Sequence, residues 1–301
     1  MKIAITGGSG FIGSNIANLL SDKHDIQILD LKKNLKNNFE FFETNVSDLD
    51  SILTGTKNCD VVIHLAASLG VINTEKNPTS TLDINIIGTR NVLEACKINN
   101  VKKIILSSSS EVYGEPEKIP ISEIDKVRPI TSYGVSKLAS EEYVKSYHKE
   151  HNFDYTIFRL FNVYGRGQGP DWVIPEFIKK SLSGDNLTIH GNGSQIRAFC
   201  HIDDIVKAFS LALEKGNNDI FNIGNNSEPI SIKQLAEKII QYSNSQSKIN
   251  FIPFSDSNRN RTEIMTRSPN TEKAKKLLGY EPTVSFENGL QSTIEYYREN
   301  P

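Results

Sequence analysis

Tyr133 and Lys137 stand four residues apart in Tyr133-Gly134-Val135-Ser136-Lys137, within a stretch whose spacing predicts a helix over 132–150. Four residues make about one helical turn, so the two side chains share a face. A lysine ammonium beside a phenol favours the phenolate, and with a dinucleotide's positive charge nearby it brings a group of ordinary pKa ~10 toward neutral pH. Ser109 follows a predicted strand over 102–107, where its hydroxyl is placed to relay a proton to or from Tyr133. Glu111, two residues on, leaves two readings open: a base that takes a proton from carbon, or a carboxylate that hydrogen-bonds a backbone group near Tyr113. Together these groups suit removal of a proton from an alcohol whose carbon gives a hydride to a dinucleotide.

A dinucleotide needs a cradle, and Gly7-Gly8-Ser9-Gly10-Phe11-Ile12-Gly13 lies between the first predicted strand and the first predicted helix. Gly7 and Gly10 allow a tight turn and a close approach to a pyrophosphate. Gly13 lets the helix lie near the sheet, and the helix N-terminus offers amides to the phosphates. Asp30 ends the second strand seventeen residues past Gly13, where a carboxylate accepts ribose hydroxyls and repels a 2′-phosphate. NAD is therefore favoured over NADP, and Lys32 and Lys33 read as a solvated turn. His64, His190 and His201 lack metal-ligand spacing, and no metal is expected.

The elements that position these residues alternate along 301 residues. Strands are predicted at 2–6, 26–30, 39–43, 60–65, 102–107, 155–160, 187–190, 220–223 and around Phe251. Helices are predicted at 11–20, 48–53, 81–96, 132–150, 173–182, 203–214, 232–242 and 270–278. Apolar runs such as Val61-Val62-Ile63 and Ile104-Ile105-Leu106 need cover on both faces, which implies an α/β fold with a doubly wound parallel sheet. The texture changes after residue 161. A dinucleotide-binding part over 1–161, joined by a returning segment near 203–224, and a smaller α/β lobe over 162–202 and 225–301 are expected. Residues 255–261, polar and rich in Ser, Asn and Arg, read as the most flexible piece.

Composition narrows the function. A net charge of −2 argues against a general nucleic-acid or acidic-lipid binder, and 38% hydrophobic with 23% charged residues fits a globular protein. No run nears the roughly eighteen apolar residues of a membrane span, and no leader segment is read at the N-terminus, so a cytoplasmic location is expected. Cys59, Cys96 and Cys200 form no CxxC pair and read as reduced thiols.

Six segments taken together resemble the extended short-chain dehydrogenase/reductase family, its NAD-dependent nucleotide-sugar epimerases and dehydratases. They are Thr6 to Gly13, His64-Leu65-Ala66-Ala67, Asn85 with Gly88-Thr89, Ser107 to Gly114, Tyr133 to Lys137, and Arg159-Leu160-Phe161-Asn162-Val163-Tyr164-Gly165. The likeness covers nearly the whole chain and implies a Rossmann sheet and bound NAD. By the same likeness Asp48 contacts adenine, Ala66 and Ala67 line the phosphates and ribose, and Phe11, Ile12, Val46, Leu65 and Asn85 join the cofactor set. Asn162 touches substrate phosphate, Arg197 binds it, and Arg259, Arg261 or Arg267 supplies a second guanidinium. Ala198 stands where the family often has an acidic residue after that arginine, which leaves its support open. Tyr164 and Phe199 are read either as stacking on a base or as core. A homodimer through the helices at 81–96 and 132–150 is also implied.

The leading expectation is a 4-epimerase acting on a UDP-hexose with NAD recycled in each turnover. Ser109-Ser110-Glu111 keeps a second option open. By likeness, 4-epimerases usually carry a non-acidic residue at Glu111, whereas many dehydratases and decarboxylases carry a glutamate. The best-known 4,6-dehydratases also place an aspartate where Ser110 stands. A dehydratase or UDP-glucuronate decarboxylase is therefore the first alternative. A 4-keto-sugar reductase and a non-catalytic dinucleotide sensor follow.

Overall fold

Continuous apolar strands fed by helices close into one twisted sheet in this protein. The computed structural model describes residues 1–33, 39–253 and 264–300. Among them the strands are β1 (Lys2–Thr6), β2 (Asp25–Asp30), β3 (Glu40–Glu43), β4 (Val61–His64), β5 (Lys103–Ser109), β6 (Asp154–Leu160), β7 (Val163–Tyr164), β8 (Leu187–His190), β9 (Ile196–Arg197), β10 (Cys200–His201), β11 (Asp219–Ile223), β12 (Ile230–Ser231), β13 (Ile249–Ile252) and β14 (Thr266–Arg267). The helices are α1 (Phe11–Leu20), α2 (Leu49–Gly55), α3 (Val71–Lys76), α4 (Pro78–Ile98), α5 (Ser132–His151), α6 (Val173–Ser183), α7 (Ile202–Ala212), α8 (Ile232–Ser243), α9 (Glu272–Leu278) and α10 (Phe286–Glu299).

Seven strands pair in the order β11-β6-β5-β4-β1-β2-β3, all parallel. The chain runs outward from β1 to β3 and then crosses to β4 on the other side of β1. Loops after β1 and β4 therefore diverge at the carboxyl edge, where such sheets bind ligands. One face is covered by α1 and α7, whose Ile16, Ala17, Ile205 and Phe209 meet Ile5, Phe158 and Phe221. On the other face Ile52, Val92, Cys96 and Val144 meet Ala4, Val62 and Ile157. A third apolar cluster joins α6, α8 and α10 around Phe177, Leu235, Ile239 and Leu290.

Several boundaries depart from the sequence reading. Helix α4 begins at Pro78, three residues before the expected start, because proline at the first helical position gives up an amide that has no partner there anyway. Between β4 and α4, where the sequence pattern predicts no element, the chain forms the short helix α3. Helix α10 was not anticipated. Ser285 caps its start and accepts a bond from the Asn288 amide, while Leu290 and Ile294, both buried, contribute about 1.5–3 kcal/mol each by burial. The tail ahead of α10 is held by the buried Asp204 carboxylate, which accepts bonds from Thr283 N (2.8 Å), Thr283 Oγ1 (3.1 Å) and Val284 N (3.1 Å). The segment 255–261, with Arg259 and Arg261, lies outside the described residues.

Candidate active site

The turn between β1 and α1 has no room for side chains. Gly7 adopts φ +70°, and a Cβ there would stand 2.8 Å from the amide nitrogen of Ala66. A Cβ on Gly13 would meet the carbonyl oxygen of Gly7 at 2.4 Å, so α1 abuts the turn only because of that glycine. Gly10 caps α1, and Phe11 and Ile12 open its first turn half-buried. Asp30 closes β2 with both oxygens on backbone amides, Oδ2 on Ser9 (2.9 Å) and Oδ1 on Leu31 (2.8 Å), which fixes the carboxylate beside the turn. The buried Ser9 hydroxyl has no hydrogen-bond partner. A bare glycine cradle, helix-terminal amides, a fixed carboxylate and an unsatisfied hydroxyl together fit a dinucleotide's pyrophosphate and ribose.

Across the β1/β4 crevice, Leu65, Ala66 and Ala67 follow β4 half-buried, with the Ala66 amide donating to Thr6 Oγ1 (3.3 Å). Val46 is buried, and the exposed Asp48 caps α2 by accepting from the Asp50 amide (3.1 Å). Asn85 spends its amide on the protein. Its Oδ1 accepts from Ser68 N (2.7 Å), and its Nδ2 donates to Ser68 O (3.1 Å) and Ser136 Oγ (2.9 Å), tying the loop after β4 to α5.

Helix α5 starts at Thr131, whose hydroxyl accepts from the Gly134 amide (3.0 Å) and donates to Glu111 Oε2 (2.9 Å). That cap sets Tyr133 against the end of β5. The Ser109 hydroxyl, which accepts from the Glu111 amide (3.2 Å), stands on the phenol's side of the strand end and bears on it electrostatically. Burial first, and the Glu111 charge second, push the phenol's pKa up, while the Ser109 hydroxyl pulls it down. One turn on, Lys137 is buried and donates to the Ser107 carbonyl (2.9 Å), with its nitrogen 5.7 Å from the Tyr133 ring centre. Burial pulls its pKa down to about 8 against the charge of Glu141. The free protein therefore keeps Tyr133 as a neutral phenol. Sequence spacing alone suggests a readier phenolate, because it shows the ammonium but not the burial.

Glu111 is not free to roam. Its Oε1 lies 2.9 Å from Nη2 of Arg267, and Oε2 takes the Thr131 hydroxyl. Arg267 arrives because Ile121 and Asn270 stitch the segment after β5 to the segment after β14: Ile121 N donates to Ser268 O (2.9 Å) and Asn270 N to Ile121 O (2.7 Å). The guanidinium expected at a diphosphate thus stands beside the residues expected to react. Arg197 is buried on β9, and its Nη1 donates to the carbonyls of Ile196 (2.9 Å) and Met265 (3.3 Å), which supply the support that Ala198 cannot. Asn162 follows β6 at φ +33° and donates to Ala198 O (3.1 Å).

Tyr164 and Phe199 are core residues. Tyr164 is 1% exposed, and Phe199 stacks on Phe286 at 5.9 Å between ring centres. His64 is bonded at both ring nitrogens, to Thr6 Oγ1 (2.7 Å) and Thr89 Oγ1 (3.1 Å). The sequence reading did not single out Glu141 and Arg159, a buried pair beneath Lys137. Their sequence signals are a glutamate continuing the four-residue spacing of Tyr133 and Lys137 and an arginine opening the segment from Arg159 to Gly165.

Residues 3–224 match the model of the NAD dependent epimerase/dehydratase family. The UDP-N-acetyl-alpha-D-glucosaminuronate decarboxylase of Bacillus cytotoxicus is 37% identical over an alignment 320 positions long, covering 99% of this chain and 98% of that protein. The crystal structure of UDP-glucose 4-epimerase from Thermotoga maritima with UDP-glucose superposes with a TM-score of 0.94 at 32% identity, covering 100% of this chain and 99% of that one. UDP-glucuronic acid 4-epimerase from Bacillus cereus, in complex with UDP-glucuronic acid and NAD, gives 0.92 at 32% identity with both chains covered in full.

Proposed function

The chain belongs to the NAD-dependent epimerase/dehydratase family, and on that premise we propose that it is an NAD-dependent 4-epimerase of a UDP-hexose. The observation that carries this reading is the Tyr133–Lys137 pair at the end of β5, with the buried Lys137 nitrogen 5.7 Å from the phenol ring and bonded to the Ser107 carbonyl, and with the glycine cradle across the crevice.

Gly7, Gly10, Gly13, Asp30, Ala66 and Ala67 hold NAD, with Phe11, Ile12, Val46, Asp48 and Leu65 around them, and Asn85 fixes the loop that completes the wall. NAD supplies the acceptor, and then the donor, of the hydride at C4. The chain's own work is proton transfer and placement. Tyr133 takes the proton of the C4 hydroxyl, Ser109 bridges the two oxygens, and Lys137 supplies the positive charge that the phenolate needs. A 4-keto sugar that turns its other face before the hydride and proton return has its C4 inverted, with no net oxidation. Arg197 and Asn162 keep the diphosphate in place while the hexose turns. Arg267, beside Glu111, stands at the reacting end. Glu111 has both oxygens engaged, so it shapes the site rather than taking a proton from C5.

A second reading is decarboxylation or dehydration through Glu111. It is favoured by that carboxylate's closeness to Tyr133 and by the Bacillus cytotoxicus decarboxylase relative. Incubation with UDP-glucose, UDP-galactose, their N-acetyl forms and UDP-glucuronate, followed by product separation, tests both readings. Interconversion at C4 that survives Glu111→Gln supports epimerisation. Loss of carbon dioxide or water that Glu111→Gln abolishes supports the second reading, and no conversion with or without added NAD rejects both.

The division into a cofactor part (1–161 with 203–224) and a substrate lobe is supported by β11 pairing with β6 and by the separate cluster around Leu235. Exposed Ile87 on α4 and Val135 on α5 support a homodimer through those helices, which a light-scattering mass tests. Three buried free thiols support a cytoplasmic setting, and no described helix is long and apolar enough to cross a membrane.

A further inference from the structure

We propose that Glu141, two turns beyond Tyr133 and out of contact with any reacting atom, is a positioning residue: its ion pair with Arg159 and its bond from Ser108 seat α5 on β5 and β6 and so place the Lys137 ammonium beneath the phenol. The proposal rests on the reading of Tyr133 and Lys137 as the reacting pair.

Tyr133, Lys137 and Glu141 follow one another at four-residue steps, so they form a column on the face of α5 that meets the sheet. Glu141 is fully buried. Arg159 of β6 grips it as a fork, with Nε 3.0 Å from Oε1 and Nη2 2.7 Å from Oε2, and the Ser108 hydroxyl of β5 donates to Oε1 (2.5 Å). The other arm of Arg159 donates to the Tyr113 hydroxyl (2.9 Å), and the guanidinium lies 4.8 Å from the centre of that ring. Tyr113 in turn donates to Asn222 Oδ1 of β11 (2.7 Å), whose Nδ2 donates to Ile121 O (2.9 Å). One bonded chain thus runs from beneath the reacting helix to the segment that brings Arg267 to Glu111.

Stability alone is a poor reason for such a pair, because apolar replacements of buried ion pairs are often neutral or better. Its position gives a better one. Lys137 donates to the Ser107 carbonyl of β5, lies under the Tyr133 ring of its own helix, and bears on His64 of β4, which burial keeps neutral; the α4 residues Asn85 and Thr89, which bond Ser136 and Ser140 of α5, are uncharged. Arg159 of β6 is turned to Glu141, and Glu111 bears on Tyr133. Among the described residues Glu141 is the charge that opposes the pull of burial on Lys137.

The test compares full-length wild type, Glu141→Gln, Glu141→Asp and the paired change Glu141→Leu with Arg159→Met, which removes both charges and leaves no buried ion behind. Two readouts are taken: the pH profile of kcat for UDP-glucose and UDP-galactose interconversion, and, with NAD alone, the ultraviolet titration of Tyr133 read against Tyr133→Phe. In Glu141→Gln and the paired variant the alkaline limb is expected to move down by about one pH unit, with kcat lower by about twofold at pH 7 and by roughly tenfold at pH 9, and KM nearly unchanged. Glu141→Asp should restore the limb. A Glu141→Gln protein that fails to fold leaves the paired variant to decide. Wild-type limbs in the folded charge-free variant overturn the proposal while leaving the epimerase reading intact. Absence of any sugar turnover, with the Tyr133 titration still displaced upward, overturns the epimerase reading and supports the proposal.

Discussion

His64→Gln is expected to make the protein's stability less sensitive to acid, because of where this imidazole sits. The ring is 2% exposed and joins β1 to α4 through Thr6 and Thr89, and the Thr89 hydroxyl lies 2.9 Å from Ser140 on α5. Burial first, and the Lys137 charge second, pull its pKa down from 6.5 to about 3. Between those values the unfolded chain binds a proton that the folded chain refuses. The stability tied to a neutral His64 is therefore fully present above about pH 6.5 and drains away as pH falls toward 3. At pH 5 the unfolded imidazole is favoured roughly thirtyfold by protonation while the folded one is almost wholly neutral, so the loss relative to pH 7 is about 2 kcal/mol. Urea unfolding of wild type and His64→Gln without NAD, at pH 7 and pH 5, measures it. The variant is less stable at pH 7, and the gap should narrow by about 2 kcal/mol at pH 5. A gap unchanged between the two pH values would refute the neutral, buried imidazole.

Three further changes probe the site and its frame. Gly7→Ala forces a Cβ to within 2.8 Å of the Ala66 amide at φ +70°, and calorimetric NAD affinity should fall by roughly tenfold or more. Asp30→Asn removes the charge that disfavours a 2′-phosphate, so the ratio of NAD to NADP affinity should drop by about tenfold while the fold persists. Asp204→Asn weakens a three-bond acceptor that holds the tail to α7. It should cost about 1–3 kcal/mol, read as a lower Tm with little change in NAD affinity.

Local patterns were the legible ones. Val61-Val62-Ile63 and Ile104-Ile105-Leu106 needed cover on both faces and became inner strands of the sheet. The glycine run fell between β1 and α1, and the four-residue step from Tyr133 to Lys137 placed both on one helical face. What escaped depends on contacts between distant segments. Arg267 reaches Glu111 across 156 positions of chain through the Ile121 stitch, and no local spacing announces that meeting. Arg197 rests on two carbonyls, so the missing acid at Ala198 carried no information about its support. Strands of two residues, such as β9 and β14, are too short to show a period. Helix α10 carries a Ser285 cap and apolar residues at Phe286, Leu290, Ile294 and Tyr297, a pattern that Gly289 interrupts.

Retention of label at the reacting carbon is the most direct test of a C4 oxidation that reverses on one enzyme. UDP-glucose carrying deuterium at C4 is incubated with the purified protein in ordinary water, and the reverse arrangement uses unlabelled sugar in heavy water. UDP-galactose that keeps its C4 deuterium in the first case, and gains none on carbon in the second, is the expected result. Loss of the C4 label to solvent, or solvent deuterium appearing at C5, would contradict it.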